Sequence, residues 1–370
     1  MTKSIRILFY SDIHWHSYTN GLRLADFSGA IDQIISTIRK TDIDIIIFGG
    51  DEFTSRNPLT EVRLASDISL KKLSDLNKPI IRLVGNHCRV TKNKDSNYST
   101  SHIKLYPRDL SNMDVADKPT VIKKVLSSDV TICLHCTPAG YQPLPFEFKK
   151  DTDFTLYLFH DTVVGSKYVN HVLADKGIDP IAIDNPNFDL VLGGDNHQPQ
   201  YLNLKNTVGI YAGSLTQLDW GDVGSDRGYW IIELIKNNDG SIERKFNFIK
   251  SKSPQFVKEE IRIESDKNLI DLVSYVKDRW SDNIVKLTLV GPSSVLHSIH
   301  IPTWQEILLK KIGCRWLKIS TIHEEQVTTI KKVTKTASEE WLTFIEDQKI
   351  KLGDIDISKV AQMGLDYIDD

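Results

Sequence analysis

Within the first 200 residues, apolar runs of strand length end again and again on a side chain that binds metal well. Five segments share this form: Asp12-Ile13-His14, Gly50-Asp51, Gly85-Asn86-His87, His160 and Gly194-Asp195-Asn196-His197. The runs before them, Ile5 to Tyr10, Ile43 to Phe48, Ile80 to Val84, Leu156 to Phe159 and Leu190 to Leu192, read as buried strands, as does Thr131 to His135. Between the first two, Phe27, Ile31, Ile34, Ile35 and Ile38 recur at helical spacing, which predicts a helix over Asp26 to Arg39 and a β-α-β unit. The class is α/β, and in such sheets chemistry gathers beyond the C-terminal ends of the strands. One such segment is an ordinary turn; five in order specify a metal site.

Length and charge bound the rest. A chain of 370 residues holds one large catalytic domain with smaller appendages, and 40% hydrophobic with 26% charged residues is ordinary for a globular protein. A net charge of −3 excludes a surface coated with positive charge for nucleic acid, so any DNA contact is local. Short basic patches at Lys71-Lys72, Arg89 with Lys92 and Lys94, Lys149-Lys150 and Lys331-Lys332 are read first as solvated faces. The stretch Ile5 to Tyr10 is too short for a signal-peptide core and no run is long enough for a membrane helix, so a cytoplasmic protein with no membrane partner is expected. Cys88, Cys133, Cys136 and Cys314 are too few and too irregular for a disulfide framework. Cys133, His135 and Cys136 lack a second ligand pair for zinc and read as a buried strand end.

Downstream, Val208 to Ala212, Tyr229 to Leu234 and Lys245 to Ile249 read as consecutive antiparallel strands, with a turn over residues 237–240. A polar segment with proline, Ser251 to Pro254, marks a boundary. After it, strand Phe256 to Ile263, helix Leu269 to Trp280, strand Ile284 to Val290, helix Trp304 to Ile312 and strand Arg315 to Ile319 predict a small β-α-β-α-β module. Two helical patterns close the chain, Ser338 to Gln348 and Ile357 to Ile368. The expected division is 1–252, 253–320 and 321–370.

The polar set suits two divalent cations about 3.5 to 4 Å apart with a carboxylate between them. Asp51, central in the series, is the natural bridge, while imidazoles and an amide oxygen complete coordination without repelling an anionic phosphate. These residues resemble the ordered signature of calcineurin-like metallophosphoesterases, D-x-H, G-D, G-N-H, H and G-H-x-H, across residues 12–197. The resemblance implies a two-sheet β-sandwich flanked by helices. It assigns Asp12, His14, Asp51 and His197 to one metal, and Asp51, Asn86, His160 and Asp195 to the other. It makes His87 catalytic, protonating or stabilising the leaving oxygen while the two cations activate the attacking water.

Two positions depart from the pattern: Cys88 stands where the family has an acid after G-N-H, and Asp195 where it has the first histidine of G-H-x-H. The first departure predicts a His87 that is less firmly oriented or changed in pKa. The second adds a hard oxygen ligand and favours manganese, or magnesium, over zinc.

A narrower resemblance follows from Tyr211-Ala212-Gly213-Ser214 and Arg227-Gly228-Tyr229-Trp230, together with the appended module. Their order is similar to SbcD-type nucleases, relatives of the meiotic recombination 11 nuclease. That implies a 3′-5′ exonuclease and single-strand endonuclease acting on DNA, a small α+β capping domain, a homodimer, and an SMC-like ATPase of SbcC type docked on the C-terminal helices. Leu342, Ile345, Val360 and Leu365 are the docking candidates, and His16, Arg56 and Arg89 the candidate phosphate contacts. The competing expectations are a phosphodiesterase or phosphatase acting on a small nucleotide or phosphoprotein, and an inactive scaffold of the same fold.

Overall fold

The computed structural model describes residues 2–17, 23–89, 110–126, 129–143, 152–168, 171–264, 276–324, 341–342, 344–345 and 358–362. The first sheet contains β1 (Lys3–Tyr10), β2 (Ile45–Phe48), β3 (Ile80–Leu83), β4 (Met113–Ala116), β11 (Gly228–Lys236) and β12 (Ile242–Lys250). Its order is β12-β11-β1-β2-β3-β4, with β1, β2, β3 and β4 parallel. The second contains β5 (Thr120–Val125), β6 (Thr131–Thr137), β7 (Phe154–His160), β8 (Leu190–Gly194), β9 (Gln200–Tyr201) and β10 (Gly209–Tyr211). Its order is β5-β6-β7-β8-β10-β9, with β6, β7 and β8 parallel.

β2 is apolar at every position, and β7 and β8 nearly so, because both faces are covered. Ile5, Ile7 and Phe9 of β1 point into a core shared with Leu156 and Leu158 of β7 and Leu190 and Leu192 of β8. The alternate residues Leu8 and Tyr10 meet Phe27, Ile31, Ile34 and Ile38 of α1 (Leu24–Lys40). The expected β-α-β unit is therefore present, with Ile7 opposite Ile45 in parallel register. Helix α2 (Thr60–Ser74) joins β2 to β3 and buries Val62, Leu70 and Leu73, leaving Leu64 and Ile68 58% and 51% exposed.

One expectation is corrected. β10 does not pair with β11; it lies parallel to β8 in the second sheet, whereas β11 and β12 are antiparallel in the first. The apolar pattern marks each strand, but the crossover between sheets is set by tertiary pairing, as where Ser214 bridges to Ser11.

A separate three-stranded parallel sheet, β13 (Phe256–Arg262), β14 (Ile284–Pro292) and β15 (Trp316–Glu324), has its own core around Trp280, Leu287, Leu308 and Leu317. Residues 276–280, α3 (Ser293–Ser298) and α4 (Ile301–Ile312) pack on it. β15 runs to Glu324, past the boundary expected at residue 320. Of the two C-terminal helical patterns, residues 341–342, 344–345 and 358–362 are described, and Trp341 Nε1 donates to the Ala361 carbonyl at 3.0 Å. Leu342 is exposed but Ile345 is buried, so Ile345 faces inward instead of offering a docking surface. Leu365, Lys92, Lys94, Lys149, Lys150, Lys331 and Lys332 lie outside the described residues. Among those described, no helix is long and apolar enough to cross a membrane.

Candidate metal centre

Because β1, β2 and β3 are parallel in one sheet and β7 and β8 in the other, the loops leaving their C-terminal ends meet at one edge of the sandwich. The chain turns sharply there. Asp12, His14, Asp51 and Asp195 all take positive φ, at 51°, 53°, 52° and 86°, a left-handed conformation that costs an L-residue about 1–2 kcal/mol. Such strain persists only where surrounding contacts fix it. Those contacts are visible: Asp12 N donates to the Gly50 carbonyl at 2.9 Å, His14 N to Asp51 O at 3.1 Å and Trp15 N to Glu52 O at 2.7 Å, zipping the first two loops together. Gly50, with φ of 117°, lies against the His160 ring, where any Cβ would collide.

The seven expected ligands converge. His14 Nε2 lies 3.6 Å from Asp51 Oδ2, 3.8 Å from Asp12 Oδ1 and 3.1 Å from His197 Nε2. His160 Nε2 lies 3.4 Å from the same Asp51 Oδ2, 3.4 Å from Asn86 Oδ1 and 3.9 Å from Asp195 Oδ1. Asp51 thus sits between two imidazole-containing groups, the place required of a bridging carboxylate. Three sets with ligand atoms within 4.8 Å of one another, Asp12-His14-His197, Asp12-Asp51-His160 and His14-Asp51-His87, mark the same centre.

The electrostatics fit divalent cations. Burial first, then Asp51 and Asp195, push the Asp12 carboxyl up to about 8, even though His160 opposes this. Burial would raise Asp51 too, but His160, His14 and His87 hold it below the usual carboxylate range. His160 would be lowered by burial, yet Asp51, Asp12 and Asp195 outweigh that and push it up to about 10. Burial holds His14 down to about 3 and lowers His197, so two neutral imidazoles direct ring nitrogens at one point. Protons on Asp12 and His160 offset the buried negative charge in the metal-free protein, and a cation would replace them. Oxygen and imidazole donors without a thiolate suit divalent cations.

His87 lies beside this set, its ring 5.0 Å from that of His14. Its backbone N–H donates to Asp51 Oδ1 at 3.0 Å, and its Nδ1 is 2.7 Å from the Thr54 carbonyl. A carbonyl only accepts, so Nδ1 donates to it and the ring is held in one orientation. The expectation that Cys88 loosens His87 is therefore corrected: Thr54, three residues beyond Asp51, orients the ring. Cys88 is buried, its thiol pushed up by burial, and its sulfur accepts from Glu52 N at 3.3 Å. Glu52 in turn pairs with Arg82 and accepts from Ser66.

Several positioning residues carry no sequence signal. Thr162 Oγ1 donates to Asp195 Oδ2 at 2.6 Å, and His160 Nδ1 donates to the Gly49 carbonyl at 2.7 Å. Arg227 donates from Nη1 to the His197 carbonyl and from Nη2 to Asp222 Oδ1 at 2.6 Å, fully buried. Arg227 stood out in the sequence only as part of Arg-Gly-Tyr-Trp; its grip on a ligand loop is visible only in three dimensions.

Of the candidate phosphate contacts, His16 has its Nδ1 2.8 Å from the His14 carbonyl. Arg89 stacks over Tyr141 at 4.6 Å, with Nη2 buried and unpartnered among the described residues. Arg56 is partly buried on the loop beyond Asp51, and no hydrogen bond or ion pair joins it to the centre among the described residues.

Comparison with known proteins agrees with this geometry. The calcineurin-like phosphoesterase family matches residues 5–199, more than half of the chain and the whole of the metal-bearing region. DNA double-strand break repair protein Mre11 of Haloferax volcanii is 25% identical over 62% of this chain and 49% of its own length. The protein of that name from Methanosarcina mazei is 26% identical over 63% and 37%, and that from Halobacterium salinarum 24% over 77% and 70%. For the first two, the match spans half or less of the relative. Convergent ligand loops, a donor set suited to two divalent cations and the match across residues 5–199 place the chain in the calcineurin-like phosphoesterase family of metal-dependent hydrolases.

Proposed function

We propose that the chain is a two-metal DNA nuclease of the 3′-5′ exonuclease and single-strand endonuclease type. The observation that carries the reading is the joint position of Asp51 between two imidazole-containing ligand groups and of His87 at their edge. DNA as substrate is supported by the relatives, which are named as DNA double-strand break repair proteins, and by the small module appended beside the centre.

Asp12, His14, Asp51 and His197 would hold one cation, and Asp51, Asn86, His160 and Asp195 the other. Bound there, manganese or magnesium supplies an activated water and stabilises charge on the phosphate. The protein's own part is positional. The Thr54 carbonyl accepts from His87 Nδ1–H and orients the ring; to protonate or stabilise the departing oxygen the other ring nitrogen must itself carry a proton, so the imidazolium is the acting form. Thr162 and Arg227 hold Asp195 and His197 against loss of coordination geometry.

The chain's net charge of −3 gives little general affinity for DNA, which supports a partner that supplies it, here an SMC-like ATPase docked on the C-terminal helices. Exposed Leu64 and Ile68, one turn apart on α2, support a homodimer.

The test is manganese-dependent degradation of an end-labelled linear duplex by purified protein, beside His87→Ala and Asp51→Asn. Degradation by the parent alone supports the reading. Equal activity in all three rejects it, and hydrolysis confined to a small phosphodiester or a phosphoprotein favours a phosphatase of the same fold.

A further inference from the structure

A cleft of about 230 Å³ opens between the phosphoesterase sandwich and the small module. Its walls include Trp220, Phe256 and Trp316, together with His16, two residues from His14. Trp220 meets Phe256 edge to face at 4.8 Å and lies 6.1 Å from Trp316. At its inner end Arg23 is 2% exposed. Nη2 donates to the Gln217 carbonyl at 2.7 Å and Nε lies 2.8 Å from Asp26 Oδ2, but Nη1 has no hydrogen-bond partner among the described residues. A buried guanidinium nitrogen without an acceptor is costly, and it lines this cleft.

We infer that the cleft takes one nucleobase of the substrate strand, stacked on Trp220 and Trp316, with a base acceptor on Arg23 Nη1. Three features select this ligand. Aromatic walls favour a flat ring; guanidinium only donates, so the ring must carry an exposed acceptor; and with Asp26 and Asp219 balancing Arg23 and Arg315 the lining has no net positive charge to draw a phosphate. An unpaired base near a cleaved end has all three properties. The inference rests on the nuclease reading but has a readout of its own.

That readout is tryptophan fluorescence in EDTA, where cleavage is silent, during titration with a single-stranded oligonucleotide and with an abasic strand of the same length. The base-bearing strand is expected to quench fluorescence and bind about tenfold more tightly than the abasic one. Trp220→Leu and Trp316→Leu are each expected to remove most of that preference while leaving manganese affinity, read by equilibrium titration, at the parent value, which certifies the fold. Equal affinity for the two strands, no binding of either, or a preference unchanged in both variants overturns the cleft. Base-dependent binding without any DNA hydrolysis supports the cleft and rejects the nuclease, whereas hydrolysis without base dependence rejects the cleft alone.

Discussion

Replacing Arg227 with methionine removes a charge from a fully buried pair and leaves the Asp222 carboxylate, 5% exposed, without its cation. Breaking such a pair from one side costs about 3–5 kcal/mol, a large share of the 5–15 kcal/mol that holds a domain together. Removing both partners, as Arg227→Met with Asp222→Leu, abolishes the stranded charge. What remains is the unpaired Leu218 N–H, which donates to Asp222 Oδ2 at 2.7 Å, worth about 1–3 kcal/mol. The double variant is therefore expected to be more stable than Arg227→Met, not less. Metal affinity should behave otherwise, because both variants lose the hydrogen bond that anchors the His197 carbonyl. Loss of an outer contact of this kind weakens metal binding about 10–100-fold. Urea unfolding in EDTA reads the first quantity and manganese titration the second. Additive destabilisation in the double variant, or recovery of metal affinity along with stability, would refute this reasoning.

In EDTA, Asp12 and His160 are pushed up to about 8 and about 10, so each contributes stability that is complete below its ordinary value and is lost as pH rises through the raised one. His14, held down to about 3, already contributes fully above its ordinary value of 6.5. The melting temperature of the metal-free protein should therefore fall between about pH 6.5 and 9, and manganese should restore more as pH rises; a flat or rising EDTA profile would contradict this. His87→Gln should lower kcat on DNA by about 10²–10⁴-fold while manganese affinity stays within twofold or so, checked by steady-state kinetics and titration. Asp195→His should shift the manganese-to-zinc affinity ratio towards zinc, read by competition between the two ions. Leu64→Asp with Ile68→Asp should convert a dimer to a monomer in sedimentation, and deletion of residues 338–370 should abolish co-purification with an SMC-like ATPase.

The parallel strands β1, β2, β3, β6, β7 and β8 and helix α1 were legible because burial on both faces writes itself as largely apolar runs, and the ligand loops because Asp, Asn and His follow those runs. β4, β5, β9 and α2 were not singled out. β5 alternates buried and exposed positions at a sheet edge, and α2 carries Leu64 and Ile68 on its open side, which blurs its periodicity. β10 was read as a strand but placed in the wrong sheet, since a three-residue apolar run says nothing about its neighbour. The ligand set could be written from the sequence; what holds the ligands could not. Thr162, Thr54 and Gly49 act through one hydroxyl and two backbone carbonyls, groups that no residue pattern reports. Arg23 likewise belongs to a cleft made by segments more than 200 residues apart.

The most direct test of the account is the manganese stoichiometry of the purified chain and of Asp51→Asn, measured by equilibrium titration and by anomalous diffraction from manganese-grown crystals. If Asp51 bridges one centre built from all five loops, the parent binds two ions per chain and Asp51→Asn weakens both together. One ion in the parent, or a variant that loses one ion and keeps the other at full affinity, would contradict the shared centre.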